Sequence, residues 1–533
     1  MLYHHLIYPY LRRALLHCVI FSLIFSPIIA AANEPLPIVA DGTTNTIITH
    51  TASGIDQINI ATPDSSGLSH NKFVDYNINE SGQIINNFSG NVASEVVGGN
   101  GATAVTSTEI GGLVTVNQNL AHSGSATVIL NEVTSTHNTE LRGYAEIAGS
   151  NAELIIANPN GLTCSSCGFI NTARMALIGG RSQFDENGHL SGFDLVAPSN
   201  ADNTQQYIRS GDGGNGLIPV ITISGLGLDV SNVSATEIIA RSTQLISSIY
   251  GNSKSSVAVR TGDEFYDYNT KQVTSSAGAV DVNSNGANGG GDNSNPELFA
   301  IDASNLSSSI QAGTIFLVAT KDGLGINSAG NVIAEDKVEI SAKGDVNYHV
   351  VSANNSASVS SDGNISALNS DSNSAILVAN QLTINALGDV NNSGLITARD
   401  SVNLTAKNLS NDGEISAVNS LVINVTNNLV NTRDILSKSE LTLSTDSLLA
   451  GSLNNSGTIG ATHSLNVSID GNLTNSGTIY SLQNLTISKS LNLVNSGLIY
   501  AANNLDLTTD YAFTNLTSEL LKQIKCLFLK VIV

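Results

Sequence analysis

The chain has 533 residues, of which 41% are hydrophobic and only 12% charged, and it contains no Trp. Asp and Glu outnumber Lys and Arg by 44 to 22, which argues against nucleic acid or an anionic membrane as partner, since both reward clustered cations. Such a length ordinarily implies several compact domains, but a solenoid absorbs it in one body because each coil packs only on its neighbours.

Residues 1–32 read as a secretory signal: Arg12 and Arg13 precede an apolar run over residues 14–25, followed by Pro27 and the small residues Ala30 and Ala32. No later segment offers the roughly 20 apolar residues a spanning helix needs, so no integral membrane segment is expected. From residue 33 to about 330, short β-branched runs alternate with Asn/Gly/Ser punctuation and almost no helical period appears. The class is all-β. Cys164 and Cys167 form a C-x-x-C pair within this span. In an oxidising compartment a local disulfide is the natural reading, with free thiols and redox or metal chemistry as the alternatives. Residues 283–295 hold no apolar side chain larger than alanine and read as a flexible loop.

Over residues 331–517 a repeat emerges. The glycines of Asn455-Ser456-Gly457, Asn475-Ser476-Gly477 and Asn495-Ser496-Gly497 fall 20 residues apart, with looser copies at Asn392-Ser393-Gly394 and Asn411-Asp412-Gly413. Each triplet is followed by an Ile-centred strand and then a second one, so one period is one coil. Asn431-Thr432-Arg433 is a degenerate copy followed by a few extra residues. Stacked coils place Ile, Leu and Val in inward columns, and corner Asn side chains can form amide ladders. A single elongated parallel β-helix is expected from about residue 40 to 515. Residues 518–533 abandon the Asn/Ser/Thr pattern for Leu, Ile and Lys. They are expected to be poorly ordered or a short amphipathic helix, in a chain that is a remnant of something longer; a helical cap over the open end is the alternative.

Motifs for catalysis are missing. Neither H-E-x-x-H, G-x-S-x-G nor a phosphate-binding G-x-x-x-x-G-K-[ST] occurs. Gly211, Gly213 and Gly216 spell G-x-G-x-x-G, but the next residues read as strand rather than helix, which leaves a glycine loop. Asp263, Glu264 and Asp267 beside Tyr266 and Tyr268 are the best carboxylates for cutting a polysaccharide, and a solvated acidic loop explains them more simply. The His residues are scattered singly. No enzyme, cofactor or metal is expected.

A resemblance enters between residues 111 and 172. Gly111-Gly112-Leu113-Val114-Thr115-Val116-Asn117-Gln118-Asn119-Leu120, Asn131-Glu132-Val133, Leu141-Arg142-Gly143-Tyr144 and Asn158-Pro159-Asn160-Gly161-Leu162-Thr163-Cys164-Ser165-Ser166-Cys167-Gly168-Phe169-Ile170-Asn171-Thr172 stand in order. Together they resemble the haemagglutination-activity, or TPS, domain of filamentous haemagglutinin-type exoproteins, especially contact-dependent growth inhibition proteins and related haemolysins and adhesins. Upstream, Gly67-Leu68-Ser69-His70-Asn71-Lys72-Phe73 and Tyr76-Asn77-Ile78 fit the opening of that family. The resemblance implies a right-handed β-helix. It also implies an outer-membrane barrel transporter, whose soluble periplasmic domains bind the TPS domain, and a secreted or cell-surface destination with host or neighbouring cells as possible targets. It assigns Asn158, Pro159, Asn160 and Gly161 to one family signature, and Asn117, Asn119 and Leu120 to the other, where Gln118 replaces the usual proline. Recognition by the transporter and formation of tight corners are both open roles for them. A β-helical polysaccharide-active enzyme and an autotransporter-like adhesin passenger are the rival readings.

Overall fold

The computed structural model describes residues 35–90, 95–96, 104–195, 219–262, 265–274, 299–303, 305, 308–368, 376–446, 451–516, 521–523 and 526–531. The signal sequence, the Asn/Gly loop at 283–295, the Gly211–Gly216 motif, and Asp263 and Glu264 lie outside these residues. Residues 37–533 form one unit, a β-solenoid of stacked coils. Three runs of parallel strands define it. One passes through Thr139–Leu141, Leu162–Ile170 and Val220–Asp229, a second through Gln83–Asn87 and Tyr144–Gly149, and a third through Leu68–Asp75, Val128–Val133, Ala152–Ala157, Thr172–Ile178 and Ala235–Ala240.

The first coil is closed by antiparallel pairing. Val39–Ala40 runs against Leu68–Asp75, and the hairpin Ile47–His50/Asp56–Asn59 lies ahead of Gln83–Asn87. An open ladder edge would otherwise invite another chain, so this hairpin acts as a cap. Two further antiparallel sheets sit outside the coils. One joins Glu95–Val96, Ala104–Thr108 and Gly112–Thr115; the other joins Arg181–Phe184, Leu190–Asp194, Phe265–Asp267 and Gln272–Thr274. Neither sheet was expected, because strand alternation reads the same inside and outside a solenoid.

Coils in the repeat region stack like on like. Ile396, Ile415, Ile435, Ile459, Ile479 and Ile499 form one buried column, and Leu409, Leu429, Leu453, Leu473 and Leu493 another. Burial of each such side chain is worth about 1.5–3 kcal/mol. The triplet asparagines are also buried, so the amide ladder runs through the interior. Nδ2 of Asn392 donates to Oδ1 of Asn411 at 2.7 Å, and the same bond continues through Asn431, Asn455, Asn475 and Asn495 to Asn515 at 2.7–2.8 Å. Each amide from Asn411 to Asn495 also donates to the carbonyl two residues on, which satisfies the turn that follows. The degenerate copy keeps register: Asn431 pairs with Asn455, and the extra residues fall between Thr445 and Leu453.

The strand Gly325–Ala342 runs through residues 330 and 331, so coil stacking continues across them. One expectation is corrected. The tail is neither disordered nor helical where it is described: Leu521–Gln523 pairs in parallel with Ile499–Ala501, and Cys526–Val531 with residues 504–509. Leu527, Leu529 and Val531 alternate at period two, and the register sets Leu527 opposite Leu505 and Leu529 opposite Leu507. Leu/Ile/Lys composition suggested an amphipathic helix, but this alternation fits a ladder.

Replacing Asn455 by Ala should cost about 2–4 kcal/mol, because the Asn431 amide loses its acceptor and the Asn475 carbonyl its donor inside the core. The same change at Asn392, which heads the ladder, should cost about half as much. Urea unfolding midpoints of the two variants check the order.

Candidate functional site

Both asparagine motifs are built as the same turn. At Asn117, Oδ1 accepts from the Asn119 amide at 3.0 Å while the backbone carbonyl accepts from Leu120 N–H at 3.0 Å, closing a turn that continues as the 3-10 helix Gln118–Leu120. At Asn158, Oδ1 accepts from the Asn160 amide at 2.8 Å and the carbonyl from Gly161 N–H at 3.1 Å. An Asn side chain that mimics a backbone turn in this way is a familiar device.

The second amides of each pair converge on one carbonyl of an earlier segment. Asn117 and Asn119 both donate to Ile60 O at 3.0 Å; Asn158 and Asn160 donate to His137 O at 2.9 and 3.3 Å. Asn117 also reaches Asn86 O, and Asn119 reaches Asn45 O in the cap. Each motif therefore staples a turn to the coil or cap before it. Asn117 is 1% exposed and Asn158 fully buried, as are Leu120, Pro159 and Gly161 in their surroundings. Gly161 has φ +103°, and a Cβ there would stand 2.8 Å from Val220 O, so no other residue fits without strain. The missing proline at Gln118 does not undo the turn, because side-chain capping holds it.

The disulfide read from the C-x-x-C pair lies in a strand. Cys164 and Cys167 are joined by a disulfide within the strand Leu162–Ile170, and both are buried in the core. It spans a register shift against Val220–Asp229, where Ser165 pairs with Ser224 but Cys167 pairs with Leu228. The surplus residues of the partner strand bulge outward. Leu226 sits on that bulge at 81% exposure, between Gly225 and Gly227 at positive φ, with its N–H held by Ser166 Oγ at 2.8 Å. Nothing in the sequence singled out this apolar knob; its one local signal is the Gly-Leu-Gly text.

Several histidines that looked scattered are paired with carboxylates. His70 Nε2 lies 2.7 Å from Glu132, His137 Nδ1 2.6 Å from Asp75, and His50 Nε2 3.1 Å from Asp56. Burial pushes the Glu132 carboxyl up, yet the His70 contact and the Ser182 amide outweigh it and hold it below the usual carboxylate range. Glu146 goes the other way: burial raises it although the amides of Glu109 and Ile110 donate to it at 2.7 and 2.9 Å. It lines an open, polar cleft of about 540 Å³ with Thr108, Glu109 and Asn171. Asp267, one of the carboxylates considered for cutting a polysaccharide, is consumed in a turn, accepting from the amides of Asn269 and Thr270 at 2.8 Å. Among the described residues no group of three potential ligands could hold a metal ion.

Comparison with known proteins places this arrangement. Residues 37–348 match the family described as the TPS secretion domain. A tRNA nuclease CdiA of Escherichia coli (strain NC101) is 33% identical over 287 residues, which cover 54% of this chain and 7% of that protein. A toxin CdiA of Yersinia pestis is 34% identical over 299 residues, 55% of this chain and 7% of its own length. The chain thus spans less than a tenth of the curated relatives it matches. Among solved structures, the filamentous hemagglutinin secretion domain aligns at a TM-score of 0.46 and 22% identity, covering 72% of this chain and 99% of that one.

Asn117 has φ −73° and ψ 115°, extended geometry that a following proline demands. Gln118→Pro should therefore stabilise the domain by about 0.5–1 kcal/mol through the unfolded state. A higher melting temperature with unchanged circular dichroism checks it.

Proposed function

The chain belongs to the TPS secretion-domain family, and from that premise we propose that it is a two-partner-secretion exoprotein exported through the periplasm to the cell surface or medium. The observation that carries this reading is the family match over residues 37–348, the span that holds both asparagine turns. The partner is an outer-membrane barrel transporter whose soluble periplasmic domains take up the TPS domain.

The physical design suits passage as an extended chain. Coils need only local neighbours to fold, interior columns carry amides in place of charges, and the disulfide joins residues 3 apart, so it closes no large loop. Within this reading the asparagine turns act chiefly in folding: Asn117 and Asn158 are buried, Asn119 and Asn160 are half-buried, and the side-chain donors of all four are spent on the earlier coil or cap. The domain performs transport and no catalysis of its own. Likeness to proteins named as CdiA nucleases and toxins favours a contact-dependent inhibition lineage over a simple adhesin. Of the carboxylates offered for the polysaccharide-active alternative, Asp267 is taken up by its own turn.

Deleting the barrel transporter should leave the protein in the periplasm and none outside; release without any partner would overturn the reading. Asn117→Ala and Asn158→Ala should each cost about 2–3 kcal/mol by exposing unsatisfied buried carbonyls, and lower export in proportion. If export collapses while the purified variants stay stable, the turns are recognition elements instead.

A further inference from the structure

The four-stranded sheet outside the coils is held by a mixed seam. Leu190, Phe193 and Tyr266 pack on Ile155, Ile178 and Ile239 of the coil face. Three carboxylates rise from coil strands into the same seam: Glu132 from Val128–Val133, Glu153 from Ala152–Ala157 and Glu237 from Ala235–Ala240. Each takes a donor from the sheet. The Ser182 amide donates to Glu132 at 3.1 Å, the Tyr268 hydroxyl to Glu153 at 3.1 Å, and the Tyr266 hydroxyl to Glu237. Lys271, at the turn before Gln272–Thr274, sets Nζ 3.7 Å from Glu153 and 3.5 Å above the Tyr268 ring.

The coil side supplies cations. His70 Nε2 contacts Glu132 at 2.7 Å, Arg174 Nε stands 4.0 Å from Glu153, and the charge of Arg260 reaches Tyr266. The Nε atoms of Arg174 and Arg260 are buried without a hydrogen-bond partner among the described residues. At neutral pH the three carboxylates thus offset Lys271 on the sheet and Arg174 and Arg260 on the coils. Loss of that negative charge would leave Lys271 facing the Arg174 guanidinium in a half-buried seam, where like charges are costly. The Glu132 carboxyl is held below its ordinary value, so its contribution is present above the unfolded pKa and is lost as pH falls through the folded one. In the repeat coils the buried asparagine ladder does not titrate, and Asp400, whose carboxyl is held low by hydrogen bonds from Asn419 and Gln381, lies on the outer face.

We propose that the four-stranded sheet is an acid-released flap, lifted off the coil face when Glu132, Glu153 and Glu237 are protonated while the coils beneath stay stacked. The seam, rather than the solenoid, sets the acid limit of the domain. Hydrogen exchange of the full chain at pH 7 and about pH 3.5, corrected for intrinsic rates, tests this. Amides of Arg181–Phe184, Leu190–Asp194 and Phe265–Asp267 should lose protection by roughly tenfold or more at the lower pH, while those of the coil strands beneath, Ala152–Ala157, Thr172–Ile178 and Ala235–Ala240, keep theirs. A variant with Glu132→Gln, Glu153→Gln and Glu237→Gln lacks the charge at every pH, and its sheet should be as weakly protected at pH 7 as the wild-type sheet is in acid, with no further change at the lower pH. The proposal falls if the sheet and coils of the wild type lose protection together, if neither does, or if the triple variant still responds to acid.

Discussion

Everything in this molecule depends on one constraint: each coil's backbone groups must pair with the coils before and after it, in register. Parallel ladders repeat at about 4.8 Å, so in the regular coils each residue faces its equivalent in the next. A charge in such a column would meet a like charge at that spacing, whereas Ile stacks on Ile and the Asn amide is donor and acceptor at once. That is why only 12% of the chain is charged and why the interior is built from aliphatic columns and an asparagine ladder.

The same logic explains how the transport domain differs from the coils that follow. Near the cap, neighbouring coils are unlike in length and sequence, and columns alone cannot align them. Asparagine turns at Asn117 and Asn158 do this work by sending paired amides to one carbonyl of an earlier segment. Where the repeat becomes regular, single asparagines pass the bond from coil to coil. One side chain type serves both uses because its two ends can bridge and cap together.

Two sheets outside the coils add a second layer at the domain. Their contacts mix apolar packing with buried carboxylates: Glu146 accepts from the three-stranded sheet side, and Glu132, Glu153 and Glu237 from the four-stranded sheet. Such contacts break more easily than ladders, because their strength varies with protonation and their geometry is not repeated. The domain is therefore layered in stability, with titratable contacts outside and non-titrating ladders within.

By itself the sequence determined the class and the period. Asn-Ser-Gly triplets spaced 20 apart, with Ile two residues after each glycine, leave no alternative to stacked coils, and the ordered blocks from Gly111 to Thr172 carry the family. Local text of this kind is legible because ladder columns repeat it. Tertiary structure decided the rest. That the ladder asparagines face inward, that Gln118 keeps the turn of a proline, and that the tail continues as strands depend on register with another coil. The seam is further still from local text: Tyr268 meets Glu153 across 115 residues, and nothing near either one announces the other. A contact made between distant segments leaves no period in the chain, so only the folded molecule brings it into view.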